Sequence, residues 1–146
     1  MVLVVGAVTV ITPACGSSTP GGTSSSLSGS ITVRSEETLK RPNPSAHASS
    51  GKGHFTITGA INDNGTVTDS RKQNGNIGTV RRVAAGGKGT ITFLIKINTV
   101  TGAEPWTIIS ATKAYSGLHG RGKQVVDAYY KTPAKFVMKG TVQPSP

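Results

Sequence analysis

Apolar and polar residues alternate with a period of two along much of this chain. That period is expected for a β-strand with one buried face, because successive side chains of a strand point to opposite sides. No amphipathic helical window is longer than a few turns. The clearest alternation falls in residues 53–61, 89–98, 106–114, 123–130 and 135–142, with weaker alternation in 31–35, 66–69 and 77–83. We therefore predict seven or eight short strands.

The segments between these strands predict how they are connected. Residues 62–65 have the sequence NDNG, and Asn64 and Gly65 can adopt the positive φ angles of a two-residue hairpin turn. Since no helix is predicted between strands, the sheet should be antiparallel, either a sandwich or a barrel. Gly59 and Gly140 fall inside predicted strands, where glycine relieves crowding at a barrel corner. We therefore expect an all-β fold, an antiparallel β-barrel of seven to eight strands.

The composition fits one small β-domain with a basic surface. The chain has 146 residues, of which 19 are glycine and only 5% are aromatic, which favours short strands and tight turns over a large helical core. The 16 Lys and Arg against 6 Asp and Glu give a formal net charge of +10. Such a charge favours anionic neighbours such as phospholipid, a wall polymer or nucleic acid. Because the basic residues are spread along the chain, a solubilising surface is favoured over a specific nucleic-acid site.

The amino terminus has the features of an export signal. Residues 1–11 are uncharged and nearly all apolar, and they are too few to cross a bilayer of roughly 30 Å as a helix. A TPAC sequence and a Gly/Ser/Thr-rich stretch follow, an order that resembles a bacterial lipoprotein signal. The resemblance implies cleavage before Cys15 and a lipid on Cys15 that anchors the protein in the membrane, outside the cytoplasm. The alternative is an ordinary secretory signal that is cut near Ala14, which also places the protein outside the cytoplasm.

The chain is thus predicted to have four parts. Residues 1–14 form the signal peptide, and residues 15–29 comprise the lipidated Cys15 and a flexible linker, because this stretch has no charge and little apolar content. Residues 30–142 form the β-barrel domain. Residues 143–146 are a short tail.

Four segments together resemble a known group of small exported proteins. They are GKGHFTITGAINDNGTVTD, GKGTITFLIKI, WTIISATKAYSGLHGRG and FVMKGTV, which cover most of residues 51–142. In this order they are similar to the allene oxide cyclase barrel-like group, which is distantly related in fold to the dirigent proteins. The most specific element is a Thr-Gly-x-Tyr-x-Gly-Leu-x-Gly turn, matched here by Thr112, Ala114, Tyr115, Gly117, Leu118 and Gly120, with Lys113 in place of the usual glycine. The resemblance implies an eight-stranded antiparallel barrel with an apolar interior, and it implies no particular activity.

The turn AYSGLHGRG, residues 114–122, has two interpretations. In the first, His119 and Arg121 contact an anionic or carbonyl-bearing ligand at the barrel rim while Tyr115 packs over the barrel mouth. In the second, the glycines permit a tight connection, Tyr115 and Leu118 plug the barrel end, and both cationic side chains face solvent. Since likeness of fold is a weak basis for function, the second interpretation is favoured.

Other candidate chemistry is sparse, and we predict no catalytic residue, no metal site and no cofactor. The histidines, His47, His54 and His119, lack the spacing of metal ligands. The acidic residues are Glu36, Glu37, Asp63, Asp69, Glu104 and Asp127. Most of them fall in predicted turns or tails, where solvent should keep the pKa of each carboxyl ordinary. Asp127 is the one expected within a strand, and it would be the best acid–base candidate if it pointed inward beside Arg121 or His54.

The predicted function is binding rather than catalysis. The barrel is expected to bind a small apolar or amphipathic ligand, or to act as an interaction module of the cell envelope, with an interior lined by Phe55, Ile57, Phe93, Ile95, Trp106 and Met138. The alternative is a cyclase-like or isomerase-like enzyme that uses the same cavity. A third possibility is electrostatic adhesion to an anionic envelope polymer.

Overall fold

The computed structural model describes residues 27–40, 48–128 and 131–146. The predicted signal peptide, Cys15, most of the linker and His47 lie outside the described residues. Within these residues no helix has both the length and the apolar character needed to span a membrane.

The described residues form eight strands joined into a closed barrel. The strands are β1 (Gly29–Lys40), β2 (Ala48–Gly59), β3 (Asp63–Asn74), β4 (Ile77–Gly86), β5 (Thr90–Asn98), β6 (Pro105–Ala111), β7 (Leu118–Ala128) and β8 (Ala134–Pro144). Each strand pairs antiparallel with the next, and β1 pairs with β8 to close the sheet. The predicted all-β, eight-stranded antiparallel barrel is therefore confirmed. The two weak segments near Ile31 and Ile77 are parts of the full strands β1 and β4.

The apolar face of each strand points into the barrel. In β5, for example, Ile91, Phe93 and Ile95 are each no more than 1% exposed. All six side chains that were predicted to line the interior are buried: Phe55, Ile57, Phe93, Ile95, Trp106 and Met138. They belong to one continuous apolar cluster, so burial of this cluster is the main apolar contribution to folding.

The turn between β2 and β3 lies earlier than the sequence predicts. Gly59 has φ of 112° and ends β2, and the amide of Asn62 then donates a hydrogen bond to the Gly59 carbonyl. Asn64 and Gly65 belong to β3, where they pair with Thr56 and Phe55. A Cβ at Gly65 would lie 2.2 Å from the carbonyl oxygen of Ala85. Gly65 thus permits close approach of β3 to β4, and the predicted turn at residues 62–65 is wrong.

One end of the barrel, which we call the Tyr115 end, is closed by buried side chains. A short 3₁₀ helix, Lys113–Tyr115, lies between β6 and β7. Tyr115 is 2% exposed, and its phenol donates a 2.8 Å hydrogen bond to Asp63. The carboxylate of Asp63 also accepts hydrogen bonds from the backbone N–H groups of Asn64, Gly87 and Lys88. Burial opposes ionisation of Asp63, but these hydrogen bonds hold its pKa below the usual value.

Trp106 occupies the interior because two glycines leave room for its ring. The indole is 1% exposed, packs edge-to-face on Phe93 with ring centroids 5.4 Å apart, and donates its N–H to the Lys123 carbonyl. A Cβ at Gly122 or Gly140 would lie 2.6 or 2.4 Å from Cζ2 of the indole. The missing side chains on β7 and β8 therefore provide the surface on which the ring packs.

We predict that Gly140→Ala lowers the free energy of unfolding by about 1–3 kcal/mol. The added methyl group would meet the indole of Trp106 and also the Arg121 carbonyl oxygen, which is 2.2 Å from the ideal Cβ position and belongs to a paired strand. Urea unfolding measures the change. Gly87→Ala is the control, because the nearest neighbour of its Cβ is 3.8 Å away. Equal stability of the two variants would contradict the packing role of Gly140.

Candidate functional site

The inward face changes from apolar to charged along three strands. In β1 the inward series that begins with Ile31 and Val33 continues with Ser35 and Glu37, all of them buried. In the same way Asp69 and Arg71 follow the inward Val67 in β3, and Arg82 lies between the inward Val80 and Ala84 in β4. We call Ser35, Glu37, Asp69, Arg71, Arg82 and Gln124 the charged cluster. It lies toward the barrel end opposite Tyr115, which we call the Glu37 end.

Arg82 is the centre of the charged cluster. Its side chain is 1% exposed, and its guanidinium binds Asp69 in a bidentate manner, with Nε 2.9 Å from Oδ1 and Nη2 2.8 Å from Oδ2. Nη2 is also 2.6 Å from Oε1 of Glu37, and Nη1 donates a 2.9 Å hydrogen bond to Gln124. The planar fork of arginine thus connects side chains from β1, β3 and β7.

Arg71 adds a second guanidinium beside the same carboxylates. Its Nη2 donates a 2.7 Å hydrogen bond to Oδ2 of Asp69 and lies 3.6 Å from Oε2 of Glu37. The guanidinium carbons of Arg71 and Arg82 are 4.7 and 4.8 Å from the ring centroid of Phe136. Phe136 therefore provides a cation–π contact for both arginines at the apolar boundary of the charged cluster.

Glu37 is the most unusual member of the charged cluster. Its side chain is fully buried, and Oε1 accepts a 2.9 Å hydrogen bond from Ser35, whereas Oε2 has no hydrogen-bond partner. Burial raises the pKa of Glu37 to about 7; the charge of Arg82 opposes this rise, and both the charge of Asp69 and a hydrogen bond from protonated Glu37 to Asp69 add to it. A Cβ at Gly51 would lie 2.5 Å from Oε2, so glycine at this position of β2 leaves space for the carboxyl group.

The charge of the cluster depends on Glu37. Burial also acts against the ionisation of Asp69, but the hydrogen bonds and charge of Arg82, with the charge of Arg71, keep the pKa of Asp69 below its usual value. With Glu37 ionised, two carboxylates balance two guanidiniums. With Glu37 protonated, one positive charge is in excess. The charged cluster therefore changes its net charge near neutral pH.

Gln124 connects the charged cluster to the protein surface. While its carbonyl oxygen accepts the hydrogen bond from Arg82, its amide donates a 2.7 Å hydrogen bond to Glu104. Glu104 is only partly buried and lies just before β6. The negative charge of Glu104 also helps to raise the pKa of Arg82, against the effect of burial. A polar path thus runs from the barrel interior to the loop that precedes β6.

The predicted ligand-binding residues lie in two separate places. Tyr115 is buried at the Tyr115 end, and the six apolar residues named above are buried inside the barrel. His119 and Arg121 are exposed on the outward face of β7, and His119 Nε2 lies 2.6 Å from the hydroxyl oxygen of Ser145. The structure thus does not bring His119 and Arg121 together with the interior. Contact of any of these residues with a ligand stays a prediction.

The expectation about the acidic residues is wrong. Asp127 is exposed on β7, whereas Glu37 and Asp69 lie in strands with their side chains buried. The sequence contains a signal for this arrangement. Glu37 is an even number of residues from the inward Ile31 and Val33, and Asp69 is two residues from the inward Val67, so both are expected on the inward face. Residue type alone favours solvent at such positions, because a lone buried charge is costly. Only the pairing of β3 with β4, which sets Asp69 opposite Arg82, shows how the cost is offset.

Comparison with known proteins does not assign this site. The chain matches no protein-family model, and comparison with curated proteins gives no match. In the described part of the chain, no three His, Cys, Asp or Glu side chains are grouped so that they could hold a metal ion. The charged cluster itself offers carboxyl, guanidinium, amide and hydroxyl groups.

We predict that the free energy of unfolding falls as pH rises from 5 to 7, and that Glu37→Gln removes most of this fall. Between the unfolded pKa of 4.5 and the folded pKa of about 7, the folded protein keeps a proton that the unfolded chain has lost. Stability then decreases with pH by about 1.4 kcal/mol per unit. Asp69 does not contribute to this slope, because its lowered pKa makes its contribution disappear only below pH about 4.

Urea unfolding of both proteins at several pH values measures this slope. All other titrating groups are shared, and Asp69 stays ionised above pH 5, so the difference between the two pH profiles in this range reports Glu37. The Gln variant should also be more stable than the wild type at pH 8, because its side chain is neutral like a protonated glutamate. Parallel profiles would contradict the proposed burial of an ionising group.

Proposed function

We propose that this protein binds a small amphipathic molecule inside the barrel, with the polar group of the ligand at the charged cluster. The interior supports this proposal because it is itself amphipathic. Buried aliphatic and aromatic side chains fill the half near Tyr115, and toward the Glu37 end the charged cluster lies beside further buried apolar side chains such as Val80, Ile95 and Phe136. A ligand with an apolar body and a polar group would match this division.

The observation that carries the proposal is the second carboxyl oxygen of Glu37. While Glu37 is ionised, this buried atom accepts no hydrogen bond, which is costly for a polar group, and Arg71 Nη2 is 3.6 Å away. A ligand hydroxyl or N–H group could donate to Oε2 of Glu37. An acidic or carbonyl oxygen on the same ligand could accept from Arg71, whose side chain is 8% exposed against 1% for Arg82.

The two ends of the barrel support entry from one side. At the Tyr115 end, Ile61, Tyr115 and Leu118 are 2%, 2% and 4% exposed, and the phenol of Tyr115 is held by Asp63. Entry there would require these packed side chains to move. At the Glu37 end Glu37 and Arg82 are buried as deeply, but Arg71, which is 7% exposed, is the most accessible member of the charged cluster. We therefore propose that the ligand enters at the Glu37 end.

Two fluorescent dyes test the proposal. The probes are 1-anilinonaphthalene-8-sulfonate, which carries a sulfonate, and its neutral analogue N-phenyl-1-naphthylamine, and energy transfer from the single tryptophan, Trp106, reports dye binding. We predict that Arg71→Gln weakens sulfonate dye binding about tenfold, as expected for loss of a charge-assisted hydrogen bond. The neutral dye should bind both proteins equally.

The control variant for the dyes is Arg81→Gln. Arg81 carries the same charge on an adjacent strand but is exposed on the outward face of β4, so this change should leave both affinities unaltered. Arg71→Lys, which keeps the charge, should retain sulfonate dye binding, and urea unfolding checks that each variant is folded. Failure of both dyes to bind the folded protein, or equal effects of the Arg71 and Arg81 variants, would contradict the proposal.

A second candidate is an enzyme of the cyclase or isomerase type, which the pKa of Glu37 favours. A carboxyl group with a pKa of about 7 can donate or accept a proton near neutral pH. Mass spectrometry of small molecules that co-purify with the protein distinguishes the two candidates. If such a molecule is converted by the wild type but not by the Glu37→Gln variant, the protein is an enzyme; a molecule that is bound and unchanged supports binding alone.

We also propose that the barrel works outside the cytoplasm, attached to the membrane by a lipid on Cys15. The order of apolar segment, small residues, Cys15 and Gly/Ser/Thr-rich stretch supports this location. Labelling of cells with a lipid precursor would test the anchor, since no label should appear on a Cys15→Ser variant. Membership of the allene oxide cyclase barrel-like group stays a prediction.

A further inference from the structure

The outward faces of β1, β7 and β8 carry a group of cations that are distant in the sequence. Arg34, Arg121, Lys123 and Lys139 are all exposed there, and we call them the basic face. The sequence shows no run of basic residues that includes these four. Closure of the barrel between β8 and β1 brings Arg34 beside the cations of β7 and β8.

The strand register places these cations next to one another. Lys123 lies directly opposite Lys139, so two like charges are cross-strand neighbours, an arrangement that costs stability. Arg121 is two residues from Lys123, which is roughly 7 Å along an extended strand. Arg34 pairs with Val137, which is two residues from Lys139 on the outward face of β8. Four cations are thus contiguous across three strands.

Few acidic groups offset the basic face. Glu36 forms a 2.8 Å ion pair with Lys135, and the charge of Asp127 also acts on Lys135. The carboxylate of Glu104 accepts the amide of Gln124. The basic face therefore keeps an excess of positive charge that an external anion would neutralise.

A depression of about 510 Å³ adjoins Arg121. It lies beside the shortest ladder of the barrel, in which β6 pairs with β7 only over residues 105–107. Its lining has hydroxyl, amide and imidazole groups and a guanidinium but no carboxylate. The polar residues are Thr107, His119, Arg121, Thr141 and Gln143, and Ile108, Gly120 and Val142 complete the lining. These polar groups can hydrogen-bond to sugar hydroxyls as well as to an anion.

We propose that the basic face and this depression bind an acidic polysaccharide. The hydroxyl and amide groups of the lining favour a sugar polymer over nucleic acid, because the outward positions of β1, β6, β7 and β8 contain no Phe, Trp or Tyr side chain on which a base could stack, and the imidazole of His119 is 2.6 Å from the hydroxyl of Ser145. These outward positions also contain no Trp or Tyr of the kind that anchors proteins at a bilayer interface. This binding uses the outside of the barrel and is independent of the proposed interior ligand.

Polygalacturonate, which has one carboxylate per sugar, is the probe for this surface, and neutral dextran is its uncharged counterpart. The protein should bind polygalacturonate, lose affinity as salt is added, and ignore dextran. The variant R121Q/K123Q/K139Q should bind about tenfold more weakly, because three exposed ion pairs are lost. Isothermal titration or co-sedimentation measures both affinities.

The matched control is K72Q/R81Q/K96Q. It removes the same net charge from exposed cations on β3, β4 and β5, which have no directly opposed lysine pair and lie away from the depression. This variant should keep affinity within about twofold of the wild type. An equal loss in both triple variants would show attraction by net charge alone and would overturn the proposal. Tighter binding of phosphatidylglycerol vesicles or single-stranded DNA by the same face would also overturn it.

Discussion

Closure of the sheet between β1 and β8 is the constraint on which the rest of this structure depends. A closed sheet has no free edge, and it assigns every second residue of every strand to a confined interior. Each inward side chain therefore needs enough volume and chemically compatible neighbours inside the barrel. The indole of Trp106 packs on Gly122 and Gly140, and the carboxyl of Glu37 packs beside Gly51; a side chain at any of these glycines would occupy the same volume. Glycine inside a strand thus compensates for large side chains on neighbouring strands.

The same confinement explains why the charges inside the barrel are arranged as one cluster. A charge removed from water loses its hydration, and mutual attraction only offsets that loss when the geometry is good. Arg82 meets the requirement with a bidentate contact to Asp69 and a further contact to Glu37. A set of apolar side chains of similar volume could fill the same space without this cost. The charged cluster is therefore weak evidence for a gain in stability.

The fold was largely predictable from the sequence, whereas the candidate site was not. In β2, β5 and β8 the alternating inward positions hold large apolar residues such as Phe55, Phe93 and Met138, so the buried face can be identified from the sequence. In β1 and β3 the same parity continues through Glu37 and Asp69, where residue type suggests solvent and only the register shows burial. The NDNG turn failed for a related reason, because the need for glycine at residue 65 comes from β4, which lies 21 positions further along at Gly86. The local sequence pattern predicts which strands form, but it does not predict which residues of distant strands are in contact.

The ion pair between Asp69 and Arg82 also decides how β3 and β4 are aligned. A two-residue shift in the register of β3 and β4 would keep inward side chains inside and outward side chains outside. Burial of apolar side chains therefore does little to prevent such a shift. The shift would, however, set Asp69 opposite Val80 or Ala84 instead of Arg82. An unmatched guanidinium and an unmatched carboxylate would then be trapped without water. The buried charges thus favour one register of β3 and β4 over registers shifted by two residues.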